Sequence, residues 1–563
     1  MDAVQIKSTG LVPKVWNGAA WFPSPPTNSD KAIINGNYDS ASAGGFISCQ
    51  CEINPGFKLT VAAGTEVKIS DFLVNNGNVL IASEGNLVQV NETDTNSGTG
   101  TFKAEQKITL SPARKQYNYI SSPAESFNMK DLYKNAVDQN NFPVEVPFVL
   151  YHNEGTNTFL NSSGAYIKGR GLAVKEPTLG FTATEITGVF EGKPANGSFY
   201  YSLINSNPAS VNRGYSLVGN PYPSNMDLVK FYQNNASGGT LNPTFYFWDG
   251  NANTRTLQEG DDYDGLAYAQ FNAATPTGIG TPTKATGDLG TAGLKLPTRN
   301  ISVGQGFMAK IINGANKSII FSNDTRSAHA AQDFFGKMRP NDKGEVVNRY
   351  WLNLISPTQI SSNIAVVYFA EGDNDFTKDD SKSLGGSDAI YSIVDGEKLS
   401  IDGRSVFVNT DKVELGTSHF VAGSYTISLD AAEGAFTENQ PIYLKDHQYG
   451  ITTNLLEGIY RFTAVEGETL GRFEIIYKPA IILDIDAVKK DRLVVYRAGY
   501  NFVIETPKMI DYVAVYDLSG RLITVLKPNN KRAVLDSLTM AAGIYILKIT
   551  TNDGLVVSRK ISK

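Results

Sequence analysis

Residues 31–90 contain AIINGNY (32–38), CQCEINPG (49–56), KLTVAAGTEVKI (58–69), FLVNNGNVLI (72–81) and EGNLVQV (84–90). Apolar and polar residues alternate in each piece, the period of two that sends successive side chains to opposite faces of a strand. The pieces follow one another closely and regularly, and Gly64, Gly77 and Gly85 stand where turns would need positive φ. This spacing predicts stacked β rungs or a small sandwich, and residues 1–105 read as a β-rich, β-helix-like cap.

The composition points the same way. Of 563 residues, 10% are aromatic, 52 are Gly and only 19% are charged, a balance that suits strands and turns better than helical bundles. Lys and Arg number 50 against 56 Asp and Glu, a formal charge of −6, which excludes a dedicated nucleic-acid binder. At about 150 residues per domain, the length predicts several domains, and 41% hydrophobic content gives each a core. Residues 1–22 hold no apolar run of the roughly 7–15 residues that a secretory leader needs, and no later run reaches the roughly 18 of a membrane helix. Either the protein stays in the cytoplasm, or the chain begins after a removed leader or inside a longer chain, and the expectation is a piece of a longer chain.

Further along, the sequence repeats itself loosely. YNYISSPAESFNMKDLY (117–133) aligns with YSLVGNPYPSNMDLVKF (215–231), PFVLYHNEG (147–155) with TFYFWDGN (244–251), and KGRGLAVK (168–175) with VGQGFMAK (303–310). The blocks keep their order, so residues 106–213 and 214–325 read as two related β modules. The second is lengthened by a Gly, Thr, Pro and Ala-rich stretch at 271–297, expected to be a flexible surface loop. TRSAHAAQDFFGKM (325–338) predicts a helix and RPNDKGE (339–345) a linker, together 326–348. Strands recurring through 349–479 predict a jelly-roll-like sandwich, and seven short strands in 480–563 predict an immunoglobulin-like one.

Those last residues carry a resemblance. Val513-Ala514-Val515-Tyr516-Asp517-Leu518 with its turn Ser519-Gly520-Arg521, then Gly543-Ile544-Tyr545-Ile546-Leu547-Lys548, then Lys560-Ile561-Ser562-Lys563, resemble the type A C-terminal sorting domain of type IX secretion cargo. Family members commonly have Pro two positions before the Gly equivalent to Gly543, where this chain has Ala541. The resemblance implies recognition by the outer-membrane translocon and its shuttle β-barrel through Tyr516, Asp517, Gly520, Arg521, Gly543, Tyr545, Lys560 and Lys563. It also implies passage through periplasm and outer membrane to the cell surface or the medium. Read as residues alone, Asp517 and Ser519-Gly520 suit a tight hairpin turn. Tyr545 suits a sandwich face with its hydroxyl outward, and the terminal lysines suit exposed cations on an edge strand. Upstream, Val15-Trp16-Asn17-Gly18, Gly219-Asn220-Pro221-Tyr222-Pro223 and Tyr350-Trp351-Leu352-Asn353-Leu354 are similar to segments near the C-terminal ends of long flavobacterial surface proteins.

Candidate chemistry elsewhere is thin. Cys49 and Cys51, read as sharing one face of a strand, are too close for an unstrained disulfide and have no His spaced with them for zinc; packed thiols are expected. Asp249-Gly250-Asn251-Ala252-Asn253 starts like a calcium loop, but Thr254 and Gly260 break the EF-hand pattern at its sixth and twelfth positions. Glu259, Asp261, Asp262, Asp264, Asp373 and Asp375 leave irregular calcium binding open, with solvated acidic turns favoured. Gly169-Arg170-Gly171 and Gly304-Gln305-Gly306 lack the third glycine of a dinucleotide fingerprint, and their matching places predict a shared bend. Gly336-Lys337 runs into Met338, so it is no phosphate loop. Ser418-His419 has no nucleophile elbow around it. Phe245-Tyr246-Phe247-Trp248 could stack on sugar rings, but strand alternation sends half of these rings into a core.

The expectation is an all-β, multidomain chain of β-sandwich and jelly-roll modules, with a β-helix-like start and an immunoglobulin-like end. Functionally it reads as a non-enzymatic type IX cargo with stalk or adhesin-like modules, without a dedicated cofactor, and with surface glycans as the open ligand class. The alternative is a polysaccharide-degrading enzyme, or a carbohydrate-binding module, exported by the same route.

Overall fold

Three stacks of parallel strands form from the alternating segments. One joins Val12–Trp16, Asp30–Ile34, Gln50–Ile53, Leu73–Asn75 and Asn96–Ser97; another joins Tyr38–Asp39, Lys58–Val61, Asn78–Ile81 and Thr101–Thr109; the third joins Phe46–Ser48, Glu66–Ile69 and Asn86–Gln89. Equivalent side chains stack in inward columns: Ala32 on Cys51 on Leu73, Leu59 on Val79 on Phe102, and Phe46 on Val67 on Leu87. All nine are buried in one cluster, the interior of a three-faced β-solenoid. The computed structural model describes residues 11–93, 96–110, 116–138, 140–177, 184–249, 268–284, 296–328, 347–437, 440–478 and 493–563.

Two details differ from expectation. Of the three turn glycines only Gly64 has positive φ, 70°; Gly77 and Gly85 are needed for space, since a Cβ would lie 2.4 Å from Phe57 O and from Val61 O respectively. Cys49 does not share a strand with Cys51: it sits in the bend between Phe46–Ser48 and Gln50–Ile53, at a solenoid corner. Burial pushes the Cys51 thiol up to about 12, and burial with Asp71 nearby raises Cys49. Because the thiolate is the nucleophile, Cys51 should resist iodoacetamide at pH 8 until the chain is unfolded in urea, while half-buried Cys49 reacts slowly. Equal native labelling of the two, read by mass spectrometry, would contradict this packing.

The last long rung, Thr101–Thr109, pairs antiparallel with Glu185–Pro194, so the solenoid end is closed by the module that follows. That module's other sheet runs in the order Tyr117–Ile120, Leu172–Lys175, Val149–Asn153, Thr158–Asn161. The next module repeats the order as Tyr215–Gly219, Gly306–Lys310, Thr244–Trp248, Tyr268–Asn272, with Thr277–Ile279 added. Register repeats as well. Tyr117 pairs Lys175 as Tyr215 pairs Lys310, and each ammonium lies over the opposite ring, at 4.5 and 4.4 Å. A short helix, Leu228–Asn235, follows the second copy's Pro turn, N-capped by Asp227; the first copy has a single turn, Met129–Asp131, capped by Asn128.

The stretch 271–297 is no surface loop where it is described. Thr277–Ile279 extends the second module's sheet, and Thr283–Lys284 pairs with Ile360–Tyr368 of the next domain. Trp351 Nε1 donates to Gly278 O at 3.0 Å and Arg349 Nη1 to Pro276 O at 2.7 Å. The small residue serves packing within the stretch itself, since a Cβ on Gly278 would sit 2.1 Å from Pro297 O, while Ile279 packs with Trp351 of the next domain. The helix expected at 325–338 is also overturned in its described part, because Arg326–Ser327 is a strand pairing with Asn225–Asp227. Residues 329–346, including Gly336-Lys337 and the expected linker at 339–345, lie outside the described residues.

Residues 347–478 form a large mixed sheet around its own core, in which Tyr350, Tyr368 and Tyr477 join hydroxyls at 2.6 and 2.7 Å. Residues 493–563 have a separate core. They show six strands where seven were expected, because NFVIET and YVAVYDL are one strand, Asn501–Asp517. Its first half pairs with Val494–Ala498 and Asn530–Asp536, its second with Leu522–Leu526 and Ile544–Thr551; the register breaks between Glu505 and Ile510, around Pro507, which has no N–H to give the ladder. Tyr425 and Tyr545 each donate to a carbonyl four residues back, of Val421 and Ala541, both at 2.8 Å, the tyrosine corner of β-sandwiches. The all-β, multi-module architecture read from the sequence is the one observed.

Candidate functional site

The residues that carry the resemblance to a sorting domain gather at one end of the C-terminal sandwich. Asp517 pairs with Tyr545 and Tyr545 with Ile561; Tyr516 pairs with Ile546 and Ile546 with Lys560; Gly543 exchanges both backbone hydrogen bonds with Lys563, at 2.9 and 3.2 Å. The turn is built as its residues dictate. Asp517 Oδ1 accepts from Ser519 N (3.0 Å), Ser519 Oγ (2.6 Å) and Arg521 N (3.0 Å), Oδ2 accepts from Arg521 Nε (3.0 Å), and Gly520 takes φ 81°. The Ser519 hydroxyl, with these other donors, holds the Asp517 carboxyl below the usual range.

Two expectations about side chains fail there. Tyr545 does not point its hydroxyl outward: the ring is buried and the hydroxyl is spent on Ala541 O. Lys563 is no free terminal cation, since its ammonium is held by Leu538 O (3.2 Å) and Met540 O. Lys560 and Arg521 are exposed. The strand Val556–Ser562 pairs on one side only, and among the described residues no strand covers its other side. Because Gly543 and Lys563 form a hydrogen-bonded pair, alternation leaves Ser558, Lys560 and Ser562 directing backbone N–H and C=O groups to that open edge.

A second site lies between the duplicated modules. Strand Thr244–Trp248 splits its aromatic cluster by face: Phe245 and Phe247 enter the second module's core, while Tyr246 and Trp248 turn to the opposite face. There they cluster with Tyr119, Ala173, Leu217 and Met308, and all of these but Leu217, with the first module's sheet and Leu384 of the next domain, line a cavity of about 660 Å³. Trp248 stacks on Tyr119 at 6.0 Å and meets Tyr268 edge-on at 5.3 Å; the Tyr119 and Tyr268 hydroxyls are 2.5 Å apart.

The cavity sits on an approximate two-fold axis that the repeat itself creates. Ile120 bridges Gln305 and, reciprocally, Arg170 bridges Val218, positions equivalent in the aligned blocks. Gly169 and Gly304 turn at φ 81° and 72°, the shared bend the sequence suggested. Gly171 and Gly306 give clearance, since a Cβ would lie 2.6 Å from Val218 O and 2.8 Å from Tyr119 C. Register makes cavity residues equivalent in pairs: Tyr117 with Tyr215, Leu150 with Tyr246, His152 with Trp248, Phe159 with Tyr268, and Ala173 with Met308. At Leu150, His152, Phe159 and Ala173 the first copy has the smaller side chain, whereas Tyr119 is larger than its equivalent Leu217. Sequence reading found Tyr246 and Trp248 but not their partners; laying the repeat's blocks over each other strand by strand would have named Leu150, His152 and Ala173.

The other candidates do not assemble. Ser418 and His419 are successive in one strand and so face opposite sides; His419 packs on Tyr425 at 4.5 Å. Asp375 N donates to Asp373 Oδ1 at 3.2 Å in an exposed turn. Among the described residues no group of three or more His, Cys, Asp or Glu is placed to hold a metal, and Glu259, Asp261, Asp262 and Asp264 lie outside them. No described helix is long and apolar enough to cross a membrane.

Comparisons with known proteins give family but not activity. Residues 483–563 match the family described as Domain of unknown function (DUF8694). No curated protein matches the chain. Among solved structures it is similar to PorZ, described as an essential bacterial surface component of the type-IX secretion system of human oral-microbiomic Porphyromonas gingivalis, at 11% identity, over 65% of this chain and 58% of that one, with a TM-score of 0.12. The chain thus spans 58% of that structure's length. Residues 7–477 match the model described as Domain of unknown function (DUF8693), and the chain belongs to that family.

Proposed function

We propose that the protein is type IX secretion cargo, an exported surface protein whose residues 480–563 are the address read by the outer-membrane translocon and its shuttle β-barrel, and whose upstream modules form a stalk or adhesive surface. The observation that supports this most is convergence: the turn at Asp517, the Gly543–Tyr545 pair and the terminal Lys560 and Lys563, far apart in sequence, lie side by side across three adjacent strands. They do so on a sandwich with its own core and beside an open strand edge of the kind that accepts another strand.

The edge gives a sharp test. Lys560→Pro removes an outward N–H and leaves the internal ladder with Ile544–Thr551 intact, because Lys560 occupies a non-hydrogen-bonded position. Surface display, measured by antibody on intact cells, should fall about tenfold, while the melting temperature of the purified chain changes by no more than about 2 °C. Asp517→Ala should lower display together with local stability, since it unties four hydrogen bonds of the turn. Unchanged display in both variants would refute the reading of this end as the recognised one.

A further inference from the structure

We infer that the cavity between the duplicated modules is a saccharide-binding site, a conclusion independent of the export route. Its size falls within the roughly 300–1,000 Å³ of small-molecule sites. Its chemistry is mixed in a specific way. Aromatic rings come from both copies, Tyr119 and Phe159 from the first and Tyr246, Trp248 and Tyr268 from the second, and hydroxyl, amide and imidazole groups line the cavity with them at Thr158, Asn157, Asn212 and His152. A lipid chain would cover the rings but strip water from these polar groups without replacing it, at a cost of roughly 1–3 kcal/mol for each group left unpaired. A pyranose presents C–H faces to aromatic rings and hydroxyls around its rim, so it satisfies both kinds of surface.

Among the described lining residues Lys175 is the one charged side chain. Burial lowers the His152 pKa, so the imidazole is neutral at neutral pH and its Nε2, 3.0 Å from Asn157 Oδ1, serves as a hydrogen-bonding group. Lys175 would favour sugars that carry a carboxylate over their neutral counterparts.

The test uses the full chain on an array of neutral and uronate-containing oligosaccharides of two to about six rings, with titration calorimetry on any hit. At least one glycan should bind, and Trp248→Ala should weaken it about tenfold or more, in line with the loss of a stacked aromatic anchor. Because Trp248 is buried, a second variant guards against misfolding: Thr158→Trp fills the mouth from an exposed position and should abolish binding with the melting temperature unchanged. Tyr200→Ala, exposed and outside the cavity, should bind normally. The inference is overturned if no glycan binds, or if binding survives both Trp248→Ala and Thr158→Trp.

Discussion

Replacing Arg326 by Ala should lower stability by about 3–6 kcal/mol, a large share of the roughly 5–15 kcal/mol of a folded domain. Arg326 is buried where the solenoid meets the second module. Its Nη2 donates to Leu87 O of the solenoid, Nε to Ser224 Oγ at 3.1 Å, and Nη1 to Asn196 Oδ1 at 2.9 Å and Asn323 Oδ1 at 3.3 Å, with the guanidinium 5.0 Å from the Tyr222 ring. Truncation leaves several buried acceptors without a donor, at roughly 1–3 kcal/mol each. Neighbouring contacts share the seam: Leu87 N donates to Pro223 O, Asn225 N to Asn86 Oδ1, and Asn323 N to Glu92 Oε2, so the loss should open this junction first. Arg326→Lys keeps the charge but not the planar fork, and should fall between wild type and Ala. Urea unfolding followed by proteolysis at the junction measures both; a change below about 1 kcal/mol for Arg326→Ala would mean that water replaces the guanidinium.

Deleting residues 480–563 should leave the upstream modules folded and strand them in the periplasm, with surface signal down by about tenfold or more. The physical ground for the first half is that the clusters around Leu59, Phe231 and Tyr350 contain no residue beyond Tyr477, while the C-terminal cluster begins at Leu493. Nothing in the upstream cores is lost with the terminal sandwich, so the truncated chain should keep its melting transition and its resistance to protease. The ground for the second half is the proposal that the terminal sandwich is what the translocon grips. Fractionation into periplasm, outer membrane and medium separates the outcomes: a folded truncation delivered to the surface would remove the export reading and leave the fold intact.

How far the sequence reached depended on whether partners were near or far along the chain. The solenoid was legible because each rung repeats its neighbour's alternation, and the duplicated modules were legible because their blocks keep both order and register, as Tyr117 with Lys175 and Tyr215 with Lys310 show. Arg326 was misread because TRSAHAAQDFF has helical composition, while its strand partner, Met226, is distant in sequence and supplies the ladder that decides the issue. The stretch around Gly278 was misread for a related reason: small residues and prolines suit loops, but here their carbonyls accept from Arg349 and Trp351 of another domain. Alternation placed Tyr246 and Trp248 on the face opposite Phe245 and Phe247 but could not say that this face meets Tyr119. Tyr545 was taken as outward-facing because a strand pattern gives the side of a ring and not the partner of its hydroxyl.

The most direct measurement of the central claim is a graft: residues 480–563 fused behind a periplasmic fluorescent reporter that is never exported by itself, produced in a type IX-competent cell, and scored for protease-sensitive fluorescence on intact cells. Surface fluorescence that vanishes when the translocon is disabled is the predicted result. Fluorescence confined to the periplasm, from a fusion whose terminal sandwich is shown to be folded, would contradict it.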